Sequence, residues 1–362
     1  MAEVNEMKDK ILVINPGSTS TKVAVFKKFN KVIEESIVHS KEELAPYKRI
    51  ADQYQFRLKA VWEMLEGQEF SMDDLLCISA RGGLLKPLPK GGTYLVNDKM
   101  CEDLIAAEHE HACNLGALIA REIGRKLDIP AFIVDPVIID EMSELAKLSG
   151  CAGIRRKAMW HPLNQKAIAR KVAALSGRKY EEINCIVAHM GGGITVGAHE
   201  KGLTIDVNNG LDGDGPYSPE RSGSLPNEAL LRMVFDEGLS REQIMKRMVG
   251  GGGCVSYLHT NDARKIEERI DEGDQEAKLI FEGMAYQISK EIGAMATVLS
   301  GQVDAIALTG GLAYSPRLTA WIMHRVSFIA PVYLFPGEGE MEALNEGAKR
   351  VMEGTEQPII YS

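Results

Sequence analysis

Two segments of this chain, about half a chain apart, repeat one arrangement of short apolar runs and polar turns. In the first, KILVI (residues 10–14) precedes the turn NPGSTS, the run TKVAVF, a break at KKFNK and the run VIEESIV. In the second, CIVAHM (185–190) precedes GGG, the run ITVGAHE, a break at KG and the run LTIDV. Apolar runs of this length between glycine and hydroxyl turns are typical of β-meanders. Two three-stranded meanders predict two similar sheets, one in each of two domains.

Apolar residues recur at three- and four-residue spacing in the segments between and after the meanders, which predicts helices. These segments cover residues 52–67, 114–128, 161–177 and 275–301. We expect Asn114 to be the N-cap of the second helix and Gly177 to end the third. The second and fourth helices run into the strand-like segments AFIVD and DAIALTGG. This alternation indicates an α/β protein with mixed sheets flanked by helices.

Length and charge limit the classes of function. A chain of 362 residues suits two domains. We place the first at residues 1–150, rejoined by a C-terminal helix over 340–362, and the second at 151–339. The net charge of −9 argues against a general nucleic-acid or anionic membrane surface.

Cysteine usage and the N-terminal segment bear on the cellular compartment. The six cysteines are scattered and form no C-x-x-C pair, so zinc and dithiol redox sites are not expected. The segment MAEVNEMKDK is charged and no run approaches 18 apolar residues, so neither a signal peptide nor a membrane span is predicted. We therefore expect a cytoplasmic protein with no membrane partner.

The first turn, within INPGSTSTK, has the composition of an anion-binding turn. It is not a Walker A loop, because Gly17 is its only glycine and it leads into a strand instead of a helix. Consecutive backbone N–H groups can form a nest for an anion, the hydroxyls of Ser18 and Ser20 add donors, and Lys22 adds a charge. A plain polar hairpin turn remains the alternative.

Two further turns follow apolar runs in the second half. MGGGITVG lacks the strand–G-x-G-x-x-G–helix context of a dinucleotide site, because its glycines also lead into a strand. The run DAIAL ends in Thr309, Gly310 and Gly311. Three such turns spread over both halves predict a nucleotide bound between two domains.

Paired strand–turn–strand phosphate loops resemble those of the sugar kinase, Hsp70 and actin superfamily, and within it the chain resembles the acetokinase family. The motifs occur in the family's order over essentially the whole chain: INPGSTSTK, RGGLLKP, VDPVIIDEM, RRKAMWHPLNQKA, AHMGGGITVGAH, ERSGSLP and LTGGLAYS. They follow the members of the family that phosphorylate butyrate. The resemblance implies an actin-like ATPase fold, a ribonuclease H-like duplication with the active site in the interdomain cleft.

The resemblance also implies a set of site residues by position. The implied nucleotide-binding residues are Asn15, Gly17, Ser18, Ser20, Lys22, Gly191, Gly192, Gly193, Asp262, Arg264, Gly310 and Gly311. The implied catalytic residues are Arg81, His111, Asp135, His161, His189 and Arg221, with Asn114 beside His111. Mg²⁺ is implied at Asp135 and Glu340, with Glu338 and Glu342 as alternatives to the second.

The implied reaction transfers the γ-phosphoryl group of ATP to a carboxylate, reversibly. A carboxylate is already ionised near neutral pH, so the reaction needs positioning and positive charge instead of a general base. Two arginines can grip anionic oxygens, and two histidines can donate to the transferring group. Mg²⁺ would bridge the phosphates, largely through water.

Plainer interpretations stay open for several of these residues. His161 and His189 could be core histidines, each arginine could form a local ion pair, and Asp262 with Arg264 could simply start a helix. His109 and His111 form a His-x-His pair, but residues two apart on a helix point to different sides, so no zinc site is expected.

The expected function is therefore phosphorylation of butyrate by ATP, with a short-chain fatty acid as the substrate and no nucleic-acid partner. Another short or branched-chain acid is the first alternative, and a nucleotide-gated binding ATPase is the second. A nicotinamide-dependent oxidoreductase is disfavoured by the missing dinucleotide fingerprint. The resemblance also implies a homodimer or a larger homo-oligomer.

Overall fold

The computed structural model describes residues 8–107 and 110–362. The chain divides into two compact units. The first unit is Met1–Ile139 with Gly339–Ser362, and the second is Asp140–Glu338.

Within the described residues, strands and helices alternate through both units. The strands are β1 (Lys10–Pro16), β2 (Ser20–Lys27), β3 (Asn30–Val38), β4 (Leu75–Arg81), β5 (Thr93–Leu95), β6 (Ala131–Val134), β7 (Asn184–Met190), β8 (Ile194–Glu200), β9 (Leu203–Val207), β10 (Ala305–Gly310), β11 (Val332–Pro336) and β12 (Ile359–Ile360). The α-helices are α1 (Lys41–Leu44), α2 (Tyr54–Glu66), α3 (Asp98–Ile105), α4 (Asn114–Leu127), α5 (Pro162–Leu175), α6 (Asn227–Phe235), α7 (Arg241–Met248), α8 (Gly253–Leu258), α9 (Ala263–Asp271), α10 (Gln275–Val298), α11 (Pro316–Val326) and α12 (Glu340–Met352). Short 3-10 helices cover Ala51–Gln53, Met72–Asp74, Tyr180–Glu182 and Gly311–Tyr314.

The first unit contains a seven-stranded mixed sheet in the order β12-β5-β6-β4-β1-β2-β3. The meander β1–β2–β3 is antiparallel, whereas β4 lies parallel to β1 and β6 lies parallel to β4. The second unit contains a five-stranded sheet in the order β11-β10-β7-β8-β9. Its meander β7–β8–β9 is antiparallel, and β10 lies parallel to both β7 and β11.

The two sheets share one strand order. Read outward from each meander, β3-β2-β1-β4-β6 in the first unit matches β9-β8-β7-β10-β11 in the second, with the same parallel and antiparallel pairings. The prediction of two similar mixed sheets flanked by helices is confirmed. In both units the candidate phosphate turn joins the first and second strands of the meander.

Alternation along the strands explains why both sheets are covered on two faces. In β7, Ile186, Ala188 and Met190 belong to a core cluster with α10 and α11, whereas Cys185 and Val187 belong to one with α5. Successive side chains of a strand point to opposite faces, so a continuously apolar strand needs a layer on each side.

In the first unit, helices from distant parts of the sequence pack on the sheet. One core cluster joins strand residues such as Leu12 and Ile78 to residues of α2, α3 and α4. The C-terminal helix α12 packs on β1, β4 and β6. Gly347 allows this close packing, because a Cβ at that position would overlap the side chain of Val134.

The expected N-cap at Asn114 is wrong. Asn114 is the first helical residue of α4, and Cys113 precedes it with helical backbone angles of φ −60° and ψ −21°. The Asn114 side chain instead accepts a hydrogen bond from the Leu84 N–H at 2.8 Å. A contact between segments thus outcompetes the local cap. Gly177 does follow the end of α5, with a positive φ of 68°.

The six cysteines all lie in the described part of the chain, and each is a free thiol. Among residues 8–107 and 110–362, no helix combines the length and apolar character needed to cross a bilayer.

Candidate active site

The first candidate turn caps the β1–β2 hairpin. Asn15 pairs with Lys22 across the two strands, and the Gly17 N–H donates to the Ser20 carbonyl at 2.7 Å. The Ser18 and Lys22 side chains are exposed, so they are accessible to an anion in solvent. A Cβ on Gly17 would meet nothing closer than 3.6 Å, so local packing does not require glycine here.

Arg57 of α2, which none of the sequence motifs indicated, supports this turn through hydrogen bonds to its backbone. Its guanidinium donates to the carbonyls of Gly17 at 2.7 Å, Ser18 at 2.9 Å and Ser20 at 3.1 Å. Gln53 accepts two further bonds from the same group. The side chain is 0% exposed, and burial lowers its pKa. The sequence did contain one sign of this role, because Arg57 lies among the apolar residues on the buried face of α2.

Glu340 joins the ends of β1 and β4 at the first turn of α12. Its carboxylate accepts from Asn15 Nδ2 at 2.7 Å and forms an ion pair with Arg81. Glu342 instead pairs with Lys31 of β3 at 2.9 Å. Of the two candidate glutamates in this unit, Glu340 is therefore the one that lies with the other candidate site residues.

The loop after Arg81 packs against the start of α4. A Cβ on Gly83 would lie 2.5 Å from Asn114 Cα, which requires glycine at that position. Asn114 is buried, and its Nδ2 has no hydrogen-bond partner within the described part of the chain. A buried amide N–H without an acceptor is costly, so this donor is suited to an anionic oxygen.

His111 lies near Arg81 and just before α4. Its Nδ1 contacts Cys113 Sγ at 3.0 Å. Partial desolvation of the ring and the charge of Arg81 lower the pKa of His111. The imidazole is therefore neutral near pH 7. His109, its partner in the His-x-His pair, lies outside the described residues.

Asp135 follows β6 in a left-handed backbone conformation, with φ of 39°. Its side chain is 2% exposed, and Oδ1 accepts from the Gly92 N–H at 2.7 Å. The backbone N–H of Gly92 thus stabilises a carboxylate for which the resemblance implied a role in binding Mg²⁺. No group of three or more His, Cys, Asp or Glu residues with metal-site geometry occurs among residues 8–107 and 110–362.

In the second unit, His161 and His189 stack face to face. Their ring centroids are 3.8 Å apart and their planes differ by 13°. His189 is the penultimate residue of β7 and is buried, while His161 immediately precedes α5. The Nδ1 of His161 bonds to Thr195 Oγ1 at 2.8 Å, and the Nδ1 of His189 bonds to Asn164 Oδ1, also at 2.8 Å.

Arg221 lies directly over the glycine turn that follows His189. A Cβ on Gly193 would overlap the guanidinium, so any side chain at this position would displace Arg221 from its observed place. The Nη1 of Arg221 donates to the Gly210 carbonyl at 2.6 Å, and burial lowers the pKa of the side chain. Its Nε is buried without a partner in the described part of the molecule, so the guanidinium keeps a donor for an anion.

The loop that carries Arg221 is fixed by hydrogen bonds of Ser218 and by packing against the glycine-rich segment 250–253. Ser218 Oγ accepts from the Arg221 N–H at 3.0 Å and donates to the Gly192 carbonyl. The segment Gly250–Gly253 packs against the other side, where a Cβ on Gly252 would lie 2.5 Å from the Ser222 backbone nitrogen. Gly252 and Gly253 of this run are buried, whereas Gly250 is exposed with open space around it.

The remaining candidates in the second unit differ in what surrounds them. Gly310 has a φ of 88°, and a Cβ there would overlap the Met190 carbonyl, whereas Gly311 is exposed with open space around it. Asp262 is the N-cap of α9, accepting from the Arg264 N–H at 3.0 Å, and the two side chains form an exposed ion pair. The helix-start interpretation of this pair is thus seen directly.

The structure therefore brings together two groups of candidate residues, each within one unit. The first unit groups Asn15, Arg81, Glu340 and His111, and the second groups His161, His189, Gly193 and Arg221. Both groups are rich in nitrogen donors and cations, which is the chemistry needed around phosphate and carboxylate oxygens.

Comparisons with known proteins agree with this fold. The family model described as the Acetokinase family matches residues 145–328. Porphyromonas gingivalis acetate kinase is similar in structure, with a TM-score of 0.75 and 18% identity over 94% of this chain and 99% of that one. A propionate kinase from Francisella tularensis gives a TM-score of 0.73 and 17% identity over the same shares. A ROK family protein from Streptococcus pneumoniae gives 0.51 and 12% identity over 96% and 99%. At these identities the structural likeness concerns the fold, which is that of the actin-like ATPases.

Proposed function

Because the chain belongs to the acetokinase family and is thereby a carboxylate kinase, we propose that it transfers the γ-phosphoryl group of ATP to butyrate. The products are butyryl phosphate and ADP, and the reaction is reversible. The observation that carries the proposal is the group around Gly193: a half-buried Arg221, whose buried Nε has no partner among the described residues, and the two stacked histidines.

The partners of the two histidines support phosphoryl transfer to an acceptor that is already ionised. The Nδ1 atoms of His161 and His189 bond to a hydroxyl and an amide, neither of which raises imidazole basicity as a carboxylate does. A hydroxyl acceptor needs a general base, whereas a carboxylate does not. We therefore assign the two rings to binding the transferring group instead of removing a proton.

Arg221 neutralises charge that builds up between two anions. A guanidinium offers donors in a planar fork that matches phosphoryl oxygens. With its Nη1 on Gly210 O, the group is oriented before any ligand binds, so little reorganisation remains for the reaction.

We assign the first unit's group to the substrate carboxylate and to Mg²⁺. Arg81 and the Nδ2 of Asn114, which has no partner among the residues that the structure describes, are donors for the carboxylate. The oxygen ligands of Asp135 and Glu340 fit Mg²⁺ held largely through water, since Gly92, Asn15 and Arg81 already use part of their capacity. When bound, Mg²⁺ supplies charge neutralisation on the phosphates.

The choice of butyrate rests on the sequence, because the polar groups that bind a carboxylate do not distinguish acetate from butyrate. NPGSTST, MWHP and the stretch GGLLKPL after Arg81 depart from the acetate kinase pattern and follow the butyrate-phosphorylating members. Each buried CH₂ contributes about 0.8 kcal/mol, and an apolar pocket discriminates by ~1–3 kcal/mol per methylene. The similar structures include acetate and propionate kinases, so these two acids are the competitors to test.

The deciding experiment measures hydroxamate formation with MgATP, hydroxylamine and a series of acids: acetate, propionate, butyrate, isobutyrate and valerate. We expect kcat/KM to rise from acetate to butyrate by about 10-fold or more. A maximum at acetate or propionate would reject butyrate and leave the carboxylate kinase standing. ATP loss that needs no acid would support a binding ATPase instead.

The homo-oligomer implied by the resemblance is proposed together with the function. Light scattering after gel filtration measures the oligomeric state.

A further inference from the structure

A line of hydrogen bonds runs through the second unit from a buried tyrosine to His161. Tyr180 Oη bonds to His199 Nδ1 at 2.7 Å, and His199 Nε2 bonds to Gln165 Oε1 at 3.1 Å. Gln165 Nε2 bonds to Thr195 Oγ1 at 2.8 Å, and Thr195 Oγ1 bonds to His161 Nδ1 at 2.8 Å. His199, Gln165 and Thr195 are each 0% exposed.

The side chain that donates in each of these hydrogen bonds can be identified from the other partners of Gln165 and His199. Gln165 Nε2 also donates to the Thr195 carbonyl at 3.1 Å, so a reversed amide would set two oxygens against each other. Its Oε1 therefore accepts, and His199 Nε2 carries a hydrogen. Complete burial and the charges of Lys166 and Arg170 hold the pKa of His199 well below its usual range, so its Nδ1 is a lone pair that accepts from Tyr180.

The same reasoning sets the proton on His161. The Thr195 hydroxyl is fully buried and accepts from Gln165, and among the described residues His161 Nδ1 is the remaining partner within hydrogen-bond distance. The buried hydroxyl hydrogen is therefore satisfied when it is donated to His161 Nδ1. That nitrogen is an acceptor, and the neutral ring must carry its proton on Nε2.

His189, stacked on His161, receives the opposite assignment. Asn164 Nδ2 donates to the Glu338 carbonyl at 2.6 Å, which turns Oδ1 toward His189 Nδ1. Since Oδ1 only accepts, His189 Nδ1 carries the hydrogen, and in the neutral ring Nε2 is a lone pair. A Cβ on Gly191 would lie 3.4 Å from this Nε2, so Nε2 lies beside the glycine turn.

We propose that Gln165 and Asn164 hold the stacked rings in opposite tautomers, His161 as Nε2–H and His189 as Nδ1–H, and that Gln165 is a positioning residue for His161. In this arrangement His161 is the neutral ring that donates a hydrogen bond to the transferring phosphoryl group, and this part of the proposal rests on the proposed function. His189 can donate from Nε2 only after it gains a second proton. The two histidines are therefore not equivalent, although the sequence suggests one role for both.

The first test is spectroscopic and uses the unmodified protein. The chain has eight histidines, so selective ¹⁵N-histidine labelling and long-range ¹H–¹⁵N correlation resolve their ring nitrogens. His161→Gln and His189→Gln assign the two rings by loss of signals. At a pH where both are neutral, we expect a protonated Nε2 in His161 and a protonated Nδ1 in His189. Any other pair of tautomers overturns the proposal.

The second test changes Gln165, with Gln302→Met as the control because Gln302 is exposed and outside the line. In Gln165→Met the Thr195 hydroxyl is no longer directed, so His161 should show mixed tautomers and kcat with butyrate should fall by about 10-fold or more, with KM little changed. An unchanged His161 tautomer, or a changed tautomer with unchanged kcat, rejects the positioning role.

If Gln165→Met does not fold, the wild-type spectrum still decides the tautomers. If the wild type makes no acid-dependent hydroxamate, the proposed function fails, and the spectrum still confirms or rejects the tautomers.

Discussion

The Arg221 side chain makes a single hydrogen bond within the described part of the chain, to the Gly210 carbonyl. The Nε of the same guanidinium is buried and has no hydrogen-bond partner among residues 8–107 and 110–362. Such a group costs free energy in the protein alone and gains a partner when an anion binds. This makes Arg221 the residue at which loss of catalysis should separate most cleanly from loss of folding.

We expect Arg221→Ala to lower kcat by ~10²–10³, the effect of losing one donor to a transition state, with little change in melting temperature. Arg221→Lys should recover little, because an ammonium group cannot reproduce the planar fork. The measurement is steady-state hydroxamate formation alongside thermal unfolding. Near-normal turnover in a folded Arg221→Ala protein would place this side chain outside the reaction.

At the scale of elements, the β7–β8 turn is built around the guanidinium that covers it. A Cβ on Gly193 would overlap Arg221, whereas a Cβ on Gly293 in α10 would meet nothing within 4 Å. We expect Gly193→Ala to displace Arg221 and reproduce most of the loss seen in Arg221→Ala. The matched variant Gly293→Ala should keep full activity and gain about 0.5–1 kcal/mol of stability, because alanine favours a helix. Equal activities of the two variants would show that the position of the Arg221 guanidinium does not depend on glycine at residue 193.

The β1–β2 turn depends on an element that is distant in sequence, because α2 places Arg57 beneath it. Arg57→Met keeps most of the apolar stem but leaves the carbonyls of Gly17, Ser18 and Ser20 without their donor. We expect a loss of about 1–3 kcal/mol of stability and a higher KM for MgATP, since unpaired carbonyls let the turn rearrange. Arg155→Met removes an exposed arginine and serves as the control. A normal KM in Arg57→Met would mean that the turn does not bind the nucleotide.

At the scale of the whole molecule, Glu291 of α10 should make stability depend on pH. Burial, with Asp214 and Asp206 nearby, raises the pKa of Glu291 from 4.5 to about 7. Between these values the folded protein binds more protons than the unfolded chain, so the free energy of unfolding falls as pH rises and the loss is complete above pH 7. The shift corresponds to at most about 3 kcal/mol.

Glu291→Gln should abolish this dependence, so the variant should be more stable than the wild type at pH 8 and similar to it at pH 5. Urea unfolding at both pH values measures the difference, and Glu268→Gln is the control because Glu268 is exposed on α9. Parallel pH profiles for wild type and Glu291→Gln would show that Glu291 titrates normally.

Local patterns in the sequence were sufficient for the elements around the site. Apolar runs between glycine and hydroxyl turns predicted both meanders, and three- and four-residue spacing predicted α2, α4, α5 and α10, because these signals depend on neighbours within one strand or one turn of helix. The order of motifs along the chain identified the family for the same reason, since a motif is a local string.

Partner choice for polar side chains was decided by the tertiary structure. Asn114 was expected to cap its own helix, yet its oxygen binds Leu84, 30 residues away. Arg57 lies 40 residues from the Gly17 carbonyl that it holds, and Asn15 lies 325 residues from Glu340. The tautomers of His161 and His189 likewise depend on a line of buried donors from several elements. A buried polar group binds whichever partner the fold brings within about 3 Å, and that distance is set by the packing of sheets and helices.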